Sequence, residues 1–264
     1  MMIIGEKLNT SIPKTQTAVA ARDLEYLTGL VHSQVEFGAD FLDINTAVGV
    51  DNELESLTWL VNLVMEHSKV GIMLDSPSPE VISNVIGIIK DRPVIVNSVT
   101  LADRLELLPV IRDTGARVVG LPIDEDGIPD SAARRCDNAA RLIEKITQSG
   151  IPAEKILIDV LAESLAIADQ NLMTVLQTIP LVKKMNPEVK TVCGVSNVSF
   201  GLPQRININC AFLVAAAAAG LDAAILDITS PTVKTCLLSS LAVAGKDEYC
   251  LRYISHIRQQ KNKL

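Results

Sequence analysis

Aromatic residues are scarce in this 264-residue chain, at 3% of the sequence, with a single tryptophan. Hydrophobic residues still make up 48%, so the core has to be built from isoleucine, valine, leucine and alanine. That composition suits buried parallel strands covered by helices better than an aromatic-rich all-β sandwich. Charged residues account for only 21%, and this high ratio of hydrophobic to charged residues excludes disorder as the dominant state.

The chain also lacks an excess of positive charge and a long apolar run. Lysine and arginine number 24 against 31 acidic residues, a net charge of −7, which excludes a nucleic-acid partner that needs a basic surface. The most apolar stretch, 210–220, has about half the length that a bilayer span needs. The N-terminal MMIIGEKLN has neither the basic region nor the apolar run of a signal peptide. We therefore expect a cytoplasmic protein without a membrane or nucleic-acid partner.

Histidine and cysteine patterns that would bind a metal, and cysteine spacings typical of a disulfide framework, are missing as well. The five cysteines are widely spaced and form no C-x-x-C, which argues against a disulfide framework or a zinc site and predicts buried, reduced thiols. The three histidines all fall in predicted helices, so a histidine-ligated metal and a Ser-His-Asp triad are both disfavoured. We expect no tightly bound metal.

What the chain does contain is a strand–helix pattern repeated eight times. Helical stretches end at glycines that we expect to act as left-handed caps, namely Gly38, Gly115, Gly150 and Gly220. The strand-like runs are 3–9, 41–45, 70–76, 93–99, 117–124, 155–160, 190–197 and 223–228. With no linker in between, the pattern predicts one domain over residues 1–264, an α/β fold with a single (β/α)₈ TIM barrel. The alternative is an open doubly wound sheet, but the chain has no G-x-G-x-x-G and no P-loop motif.

Every predicted strand ends in an acid or an amide. The acids and amides are Glu6, Asn9, Asp43, Asn45, Asp75, Asn97, Asp124, Asp159, Asn197 and Asp227, and Ser196 stands beside Asn197 at the seventh strand end. In a barrel of this kind the active site lies at these strand ends, so the mouth would be rich in hydrogen-bond acceptors and poor in cations. Such a mouth suits a neutral, flat heterocycle with a guanidine-like edge, such as a pterin, which one carboxylate can bind in a bidentate pair. A sugar or an amino acid would also fit this pattern.

Several strings resemble one known family. They are IIGEKLN, GADFLDIN, IMLDS, IVNSV, DGIP (126–129), ILID and GVSNVSFGLP (194–203). In this order, from Met2 to about Asp227, they resemble the pterin-binding methyltransferases. That family comprises the methyltetrahydrofolate:corrinoid protein methyltransferases and the folate domain of cobalamin-dependent methionine synthase. GVSNVSFGLP is the most specific of these strings.

The resemblance implies roles for individual residues. It implies that Asp75, Asn97 and Asp159 hold the pterin ring, and that Gly194, Ser196 and Asn197 line the site around N5. Arg205 would lie near the anionic benzoyl-glutamate. Asp43 and Asn45 would form the cavity floor, and Glu6, Asn9, Phe200 and Asp227 would contribute further to the cavity.

Asn197 is the residue to which the resemblance gives a catalytic role. It would accept a hydrogen bond from protonated N5 and stabilise charge that develops in the transition state. The alternative is that Asn197 only caps the loop after the seventh strand.

The resemblance also implies substrates and partners. Tetrahydrofolate or methyltetrahydrofolate would be a substrate, and the cobalamin or other corrinoid would arrive free or on a corrinoid protein. Members of the family are typically homodimers. The chain departs from the family at Val160, where many relatives have proline, at Phe200, where some have glutamine, and at 121–123.

Two rival functions remain open, and so does the direction of methyl transfer. A dihydropteroate synthase would need a Thr-Pro-Asp-Ser-type loop after the first strand, where this chain reads LNTSIPKT. It would also need an Arg-x-His near the eighth strand, whereas 256–258 reads in the reverse order. A non-catalytic folate-binding partner of a corrinoid protein is the second rival.

Overall fold

Eight parallel strands close into a barrel in the computed structural model, which describes residues 1–168 and 171–261. Each strand pairs with the next along the chain, and the eighth pairs with the first. The strands are β1 (Met2–Asn9), β2 (Phe41–Asn45), β3 (Gly71–Asp75), β4 (Val94–Thr100), β5 (Arg117–Leu121), β6 (Ile156–Asp159), β7 (Lys190–Gly194) and β8 (Ala223–Leu226). The predicted TIM barrel is therefore confirmed, and the open doubly wound sheet is wrong.

Helices cover the outside of the barrel. They are α1 (Pro13–Ala20), α2 (Leu24–Glu36), α3 (Glu53–His67), α4 (Pro79–Ile86), α5 (Leu108–Thr114), α6 (Ala132–Gln148), α7 (Asn171–Met185), α8 (Arg205–Ala219), α9 (Pro231–Val243) and α10 (Leu251–Lys261). The four predicted cap glycines all have positive φ. Each histidine lies in a helix, as expected. Among the described residues, no helix is both long enough and apolar enough to cross a membrane.

The barrel has an inner core with one residue from every strand. These residues are Ile4, Phe41, Met73, Ile95, Val119, Leu157, Val192 and Ala223, and each is almost fully buried. A larger apolar cluster fills the space between the strands and the helices. Because side chains alternate across a strand, the residue two positions beyond each inner-core residue also faces the barrel interior, one layer closer to the mouth.

Three details differ from the sequence-based expectation. β5 ends at Leu121 and not at 124, because the chain turns there and the Ile123 N–H bonds to the Leu121 carbonyl at 2.7 Å. β7 ends at Gly194, and a 3-10 helix (Val195–Ser199) follows it. The five cysteines are free, but only Cys193 is buried, so the expectation of buried thiols is wrong for the other four.

Candidate active site

A layer of polar side chains lies directly above the inner core. Counting two residues along each strand gives Glu6, Asp43, Asp75, Asn97, Leu121, Asp159, Gly194 and Ile225. Five strands thus contribute an acid or an amide to this layer, which we call the acceptor layer. The other three positions are two aliphatic residues and a glycine. The layer therefore combines hydrogen-bond acceptors with two apolar side chains, those of Leu121 and Ile225, and with Gly194, which has no side chain.

Three carboxyl groups of the acceptor layer, those of Glu6, Asp43 and Asp75, are largely buried and lie close enough to influence one another. Burial raises the pKa of Asp43 well above its usual value, and the neighbouring Asp75 and Glu6 raise it further. One Asp43 oxygen, Oδ1, has no hydrogen-bond partner among the described residues. Burial also raises the pKa of Asp75, although a 2.8 Å hydrogen bond from Asn45 Nδ2 opposes that rise. Among the described residues Asp43 Oδ1 has no donor and Asp75 has only the Asn45 amide, so a donor-rich ligand would stabilise both carboxylates.

Asp159 completes the layer three strands away from Asp75. Burial raises its pKa to about 6, against the opposing effects of a backbone hydrogen bond and the Arg135 charge. That hydrogen bond comes from the Leu161 N–H, at 2.7 Å from Oδ1. The carboxyl group is thus oriented by the loop that follows its own strand.

A cavity of about 660 Å³ opens beside the acceptor layer, at the ends of β1, β7 and β8. Its lining includes Glu6, Lys7, Asn9, Ser196, Asn197, Phe200, Arg205, Asn209 and Asp227. Glu6 belongs to both regions. Its pKa is raised by burial, an effect that a 2.5 Å hydrogen bond from Ser196 Oγ opposes. The two regions therefore meet at Glu6.

Two cavity residues from opposite ends of the chain form an ion pair. Lys7 Nζ lies 3.1 Å from Asp227 Oδ2, with both side chains about three-quarters buried. Asp227 also accepts hydrogen bonds from the N–H and the hydroxyl of Thr229. Asn9 accepts from the Ser11 N–H at 2.9 Å. Asp227 and Asn9 therefore organise the rim while lining the cavity.

The 3-10 helix after β7 presents Asn197. A side chain added at Gly194 would place its Cβ only 2.9 Å from Asn197 Nδ2, so the missing side chain makes room for the amide. The Asn197 side chain is exposed and makes no hydrogen bond within the described part of the chain. A loop cap would use its side chain to bind the backbone, so this geometry favours a role toward a ligand.

Arg205 holds the same loop in place. Its Nη2 donates to the Ser196 carbonyl at 2.8 Å, and its Nε donates to Ser199 Oγ at 3.0 Å. The guanidinium carbon lies 5.9 Å from the centre of the Phe200 ring, a side chain that is 71% exposed. Arg205 thus reaches the cavity while anchoring the segment that carries Asn197.

Comparison with known proteins identifies the family. The model for "Pterin binding enzyme" matches residues 5–227, from β1 to the end of β8. This chain belongs to the pterin-binding enzyme family. The matched region includes every residue of the acceptor layer and all the predicted site residues.

Individual relatives cover different shares of this pterin-binding enzyme. The methylcorrinoid:tetrahydrofolate methyltransferase of Eubacterium limosum is 29% identical over 265 residues, which is 99% of this chain and 97% of the relative. The methionine synthase of Mycobacterium tuberculosis is 30% identical over 241 residues, which is 86% of this chain. The chain spans only 20% of that much longer protein.

A solved structure supports the fold. The dihydropteroate synthase from Xanthomonas albilineans, in complex with 7,8-dihydropteroate, superimposes with a TM-score of 0.70 at 18% identity and covers 92% of both chains. At that identity the likeness shows the shared barrel alone.

The structure brings most of the predicted residues of this family member together. Asp43, Asn45, Asp75, Asn97 and Asp159 follow the inner core, whereas Glu6, Asn9, Ser196, Asn197, Phe200, Arg205 and Asp227 line the cavity. Asp124 lies outside the mouth, because β5 ends early and the carboxylate accepts a 3.0 Å hydrogen bond from Asn138 of α6.

Sequence reasoning missed two cations near the site. Lys7 follows Glu6 in the first predicted strand, and this position was the signal that could have placed its side chain in the mouth. Arg135 is 1% exposed and lies on the buried face of α6. A charged residue at helical spacing from Ala139 and Leu142 was the signal that could have revealed it.

Within residues 1–168 and 171–261, no group of three or more histidine, cysteine or acidic side chains is arranged to hold a metal ion. The neighbouring carboxyl groups of Asp43 and Asp75 both have raised pKa values. A ligand with N–H donors would lower these pKa values, because it would stabilise the ionised carboxylates.

Proposed function

We propose that this pterin-binding enzyme transfers a methyl group between N5 of tetrahydrofolate and the cobalt of a corrinoid. The observation that carries the proposal is the acceptor layer. Burial raises the pKa of Asp43, Asp75 and Asp159, and Asp43 Oδ1 has no hydrogen-bond partner among the described residues, so a ligand that donates hydrogen bonds would stabilise these carboxyl groups. The similarity to a methylcorrinoid:tetrahydrofolate methyltransferase over 99% of the chain supports the reaction.

The pterin ring supplies the donors that the layer lacks. Its N3–H and 2-amino group lie side by side and suit one carboxylate in a bidentate pair. Asp75 and Asp159, three strands apart, are the carboxylates that would bind the ring edges, and Asn97 can both donate and accept. The aliphatic Leu121 and Ile225 would contact the flat faces of the ring.

Asn197 would act at the reacting nitrogen. In the direction of folate methylation, the N5 lone pair forms the new N–C bond, the electrons of the broken Co–C bond remain on cobalt, and N5 releases its proton. In reverse, N5 must gain a proton before the C–N bond breaks, because a tertiary amine is a poor leaving group. The side-chain oxygen of Asn197 can accept a hydrogen bond from the protonated nitrogen, and we assign this as its role.

The corrinoid is a substrate that must approach the open mouth. It would arrive free or on a separate corrinoid protein, and the exposed Phe200 lies at the cavity through which it would approach. The same residues serve both directions of transfer, so the physiological direction depends on which methylated substrate is supplied.

Three further expectations belong to this proposal. Residues 1–264 would act as one methyltransferase domain, in the cytoplasm and as a homodimer. Size-exclusion chromatography with light scattering would test the dimer, and a monomer at micromolar concentration would contradict it.

The direct test is a methyl-transfer assay. The purified chain is mixed with methyltetrahydrofolate and reduced cobalamin, or with methylcobalamin and tetrahydrofolate, and the cobalamin absorbance is followed. Turnover that is absent in an Asp75→Ala/Asp159→Ala double variant would support the proposal. Folate binding without turnover with free cobalamin or a corrinoid protein would favour the non-catalytic rival, and formation of dihydropteroate would favour the synthase.

A further inference from the structure

Arg135 is the largest fully buried side chain of the described residues and a cation. It lies on α6, outside the barrel wall, and its guanidinium contacts the loop that follows Asp159. We infer that Arg135 is a positioning residue, which holds the loop after β6 so that Asp159 presents its carboxylate to the pterin. This inference rests on the proposed function, because it concerns how the pterin site is kept in shape.

The guanidinium binds the loop through consecutive carbonyl groups. Nη1 of Arg135 donates to the Val160 oxygen at 2.7 Å and to the Leu161 oxygen at 2.9 Å. Because these carbonyls belong to the two residues directly after Asp159, the arginine fixes the direction in which the chain leaves the strand.

The conformation of Leu161 transmits this constraint to Asp159. Leu161 has φ of +58°, in the left-handed region that a leucine rarely adopts without support from its surroundings. In that conformation its N–H points back and donates to Asp159 Oδ1 at 2.7 Å. The arginine therefore holds the carbonyls on either side of a strained turn, and the turn holds the carboxylate.

The other end of the guanidinium ties this turn to two further segments. Nε donates at 2.9 Å to the carbonyl of Pro129, the last residue of the DGIP string. Nη2 lies 3.6 Å from Glu163 Oε2, and the same oxygen accepts a 2.6 Å hydrogen bond from Asn171 at the start of α7. Arg135 is thus the common anchor of the loops after β5 and β6.

The charges around Asp159 agree with this arrangement. The titratable groups that face it in the described structure are Arg135 from α6 and Cys193 from β7. The arginine favours the ionised carboxylate, which is the form that accepts two hydrogen bonds from a pterin edge.

The test is a double-mutant cycle on tetrahydrofolate binding, measured by calorimetry with the full chain. Arg135→Lys keeps the charge but cannot reach all three carbonyls, so we expect the dissociation constant to rise about ten- to thirtyfold. In an Asp159→Ala background the same substitution should change binding less than about twofold, because the group on which it acts is already missing. The matched control is Arg134→Met, which removes the neighbouring arginine on α6 that contacts Asp126 but not the β6 loop.

Each outcome decides the inference. Equal weakening by Arg135→Lys with and without Asp159, or unchanged binding in the wild-type background, would overturn it. Should Arg135→Lys fail to fold, Glu163→Ala is used, with an expected weakening of about threefold that disappears in the Asp159→Ala background; an unchanged affinity would overturn the inference. A wild-type chain that binds no tetrahydrofolate would overturn the proposed function itself.

Discussion

The Ser196 hydroxyl donates a 2.5 Å hydrogen bond to Oε1 of Glu6, a residue 190 positions earlier in the chain. This contact joins the first strand of the barrel to the 3-10 helix after the seventh. It therefore connects the buried acceptor layer, to which Glu6 belongs, with the loop that presents Asn197. A ligand bound across the two regions would contact both ends of this hydrogen bond.

Asp75→Ala and Asp159→Ala should each weaken tetrahydrofolate binding. Each change removes a carboxylate acceptor and leaves pterin donors unpaired in a buried site, at a cost of about 1–3 kcal/mol. Calorimetry would measure the dissociation constants, with Asp113→Ala, an exposed residue at the end of α5, as the control. Unchanged affinity in both variants would show that these two aspartates do not bind the pterin ring.

Asn197→Ala should lower the methyl-transfer rate by about 10²-fold and leave folate affinity nearly unchanged, because the amide acts on charge that develops in the transition state. The melting temperature should stay constant, since the Asn197 side chain bonds to nothing else in the described structure. Stopped-flow rates and melting curves would be compared with those of Asn207→Ala on α8. A normal rate with lower stability would instead identify a loop cap.

Gly194→Ala should reduce the rate through Asn197. The new methyl group would approach Asn197 Nδ2 to 2.9 Å and displace the amide, whereas the backbone of Gly194, with φ of −76°, accepts alanine without strain. We expect a loss of about tenfold in rate, smaller than for removal of the amide. Gly29→Ala on α2, which meets no atom within 4 Å, is the control and should keep full activity.

The ligand-free chain should gain stability as the pH falls from 7 toward 5, because the folded state raises the pKa of Asp159 from 3.8 to about 6. The free-energy cost of ionising the buried Asp159 carboxyl group is therefore fully present above about pH 6. This cost decreases as the pH falls through that value, because the carboxyl group of the folded state becomes protonated. Asp159→Asn should be more stable than the wild type at pH 7, by up to about 3 kcal/mol, with a smaller gap at pH 5.

Denaturant unfolding of the two proteins at several pH values would measure this gap. Asp113→Asn provides an exposed control with no expected trend. An Asp159→Asn variant that is less stable than the wild type at pH 7 would contradict the assignment of a costly buried charge to this position.

Treatment with a chelator should leave methyl transfer with free cobalamin unchanged. Within the described residues the acidic groups of the mouth do not form a ligand set for a metal ion, and we expect them to meet N–H donors. The assay before and after dialysis against EDTA checks this. Activity that disappears and returns only with one added divalent ion would show that a metal is required.

The sequence by itself determined the barrel and the polar character of its mouth. Eight apolar runs, each followed by an acid or an amide and separated by helical patterns, leave few folds that bury every run. The two-residue period of a strand also implies that Phe41, Asp43 and Asn45 share one face, as do Met73 and Asp75. These are local properties of the chain, so spacing and residue type suffice to predict them.

Only the tertiary structure decided which of these polar groups act together. Asp124 and Asp159 look alike in sequence, yet an early end to β5 turns the first toward α6, and the second stays in the acceptor layer. Arg135 contacts the carbonyls of Val160 and Leu161, 25 and 26 residues along the chain, because α6 packs against the end of β6. Such contacts depend on where each helix packs and on where each strand ends. Both are determined by packing against segments that are distant in the sequence, so the local sequence does not reveal them.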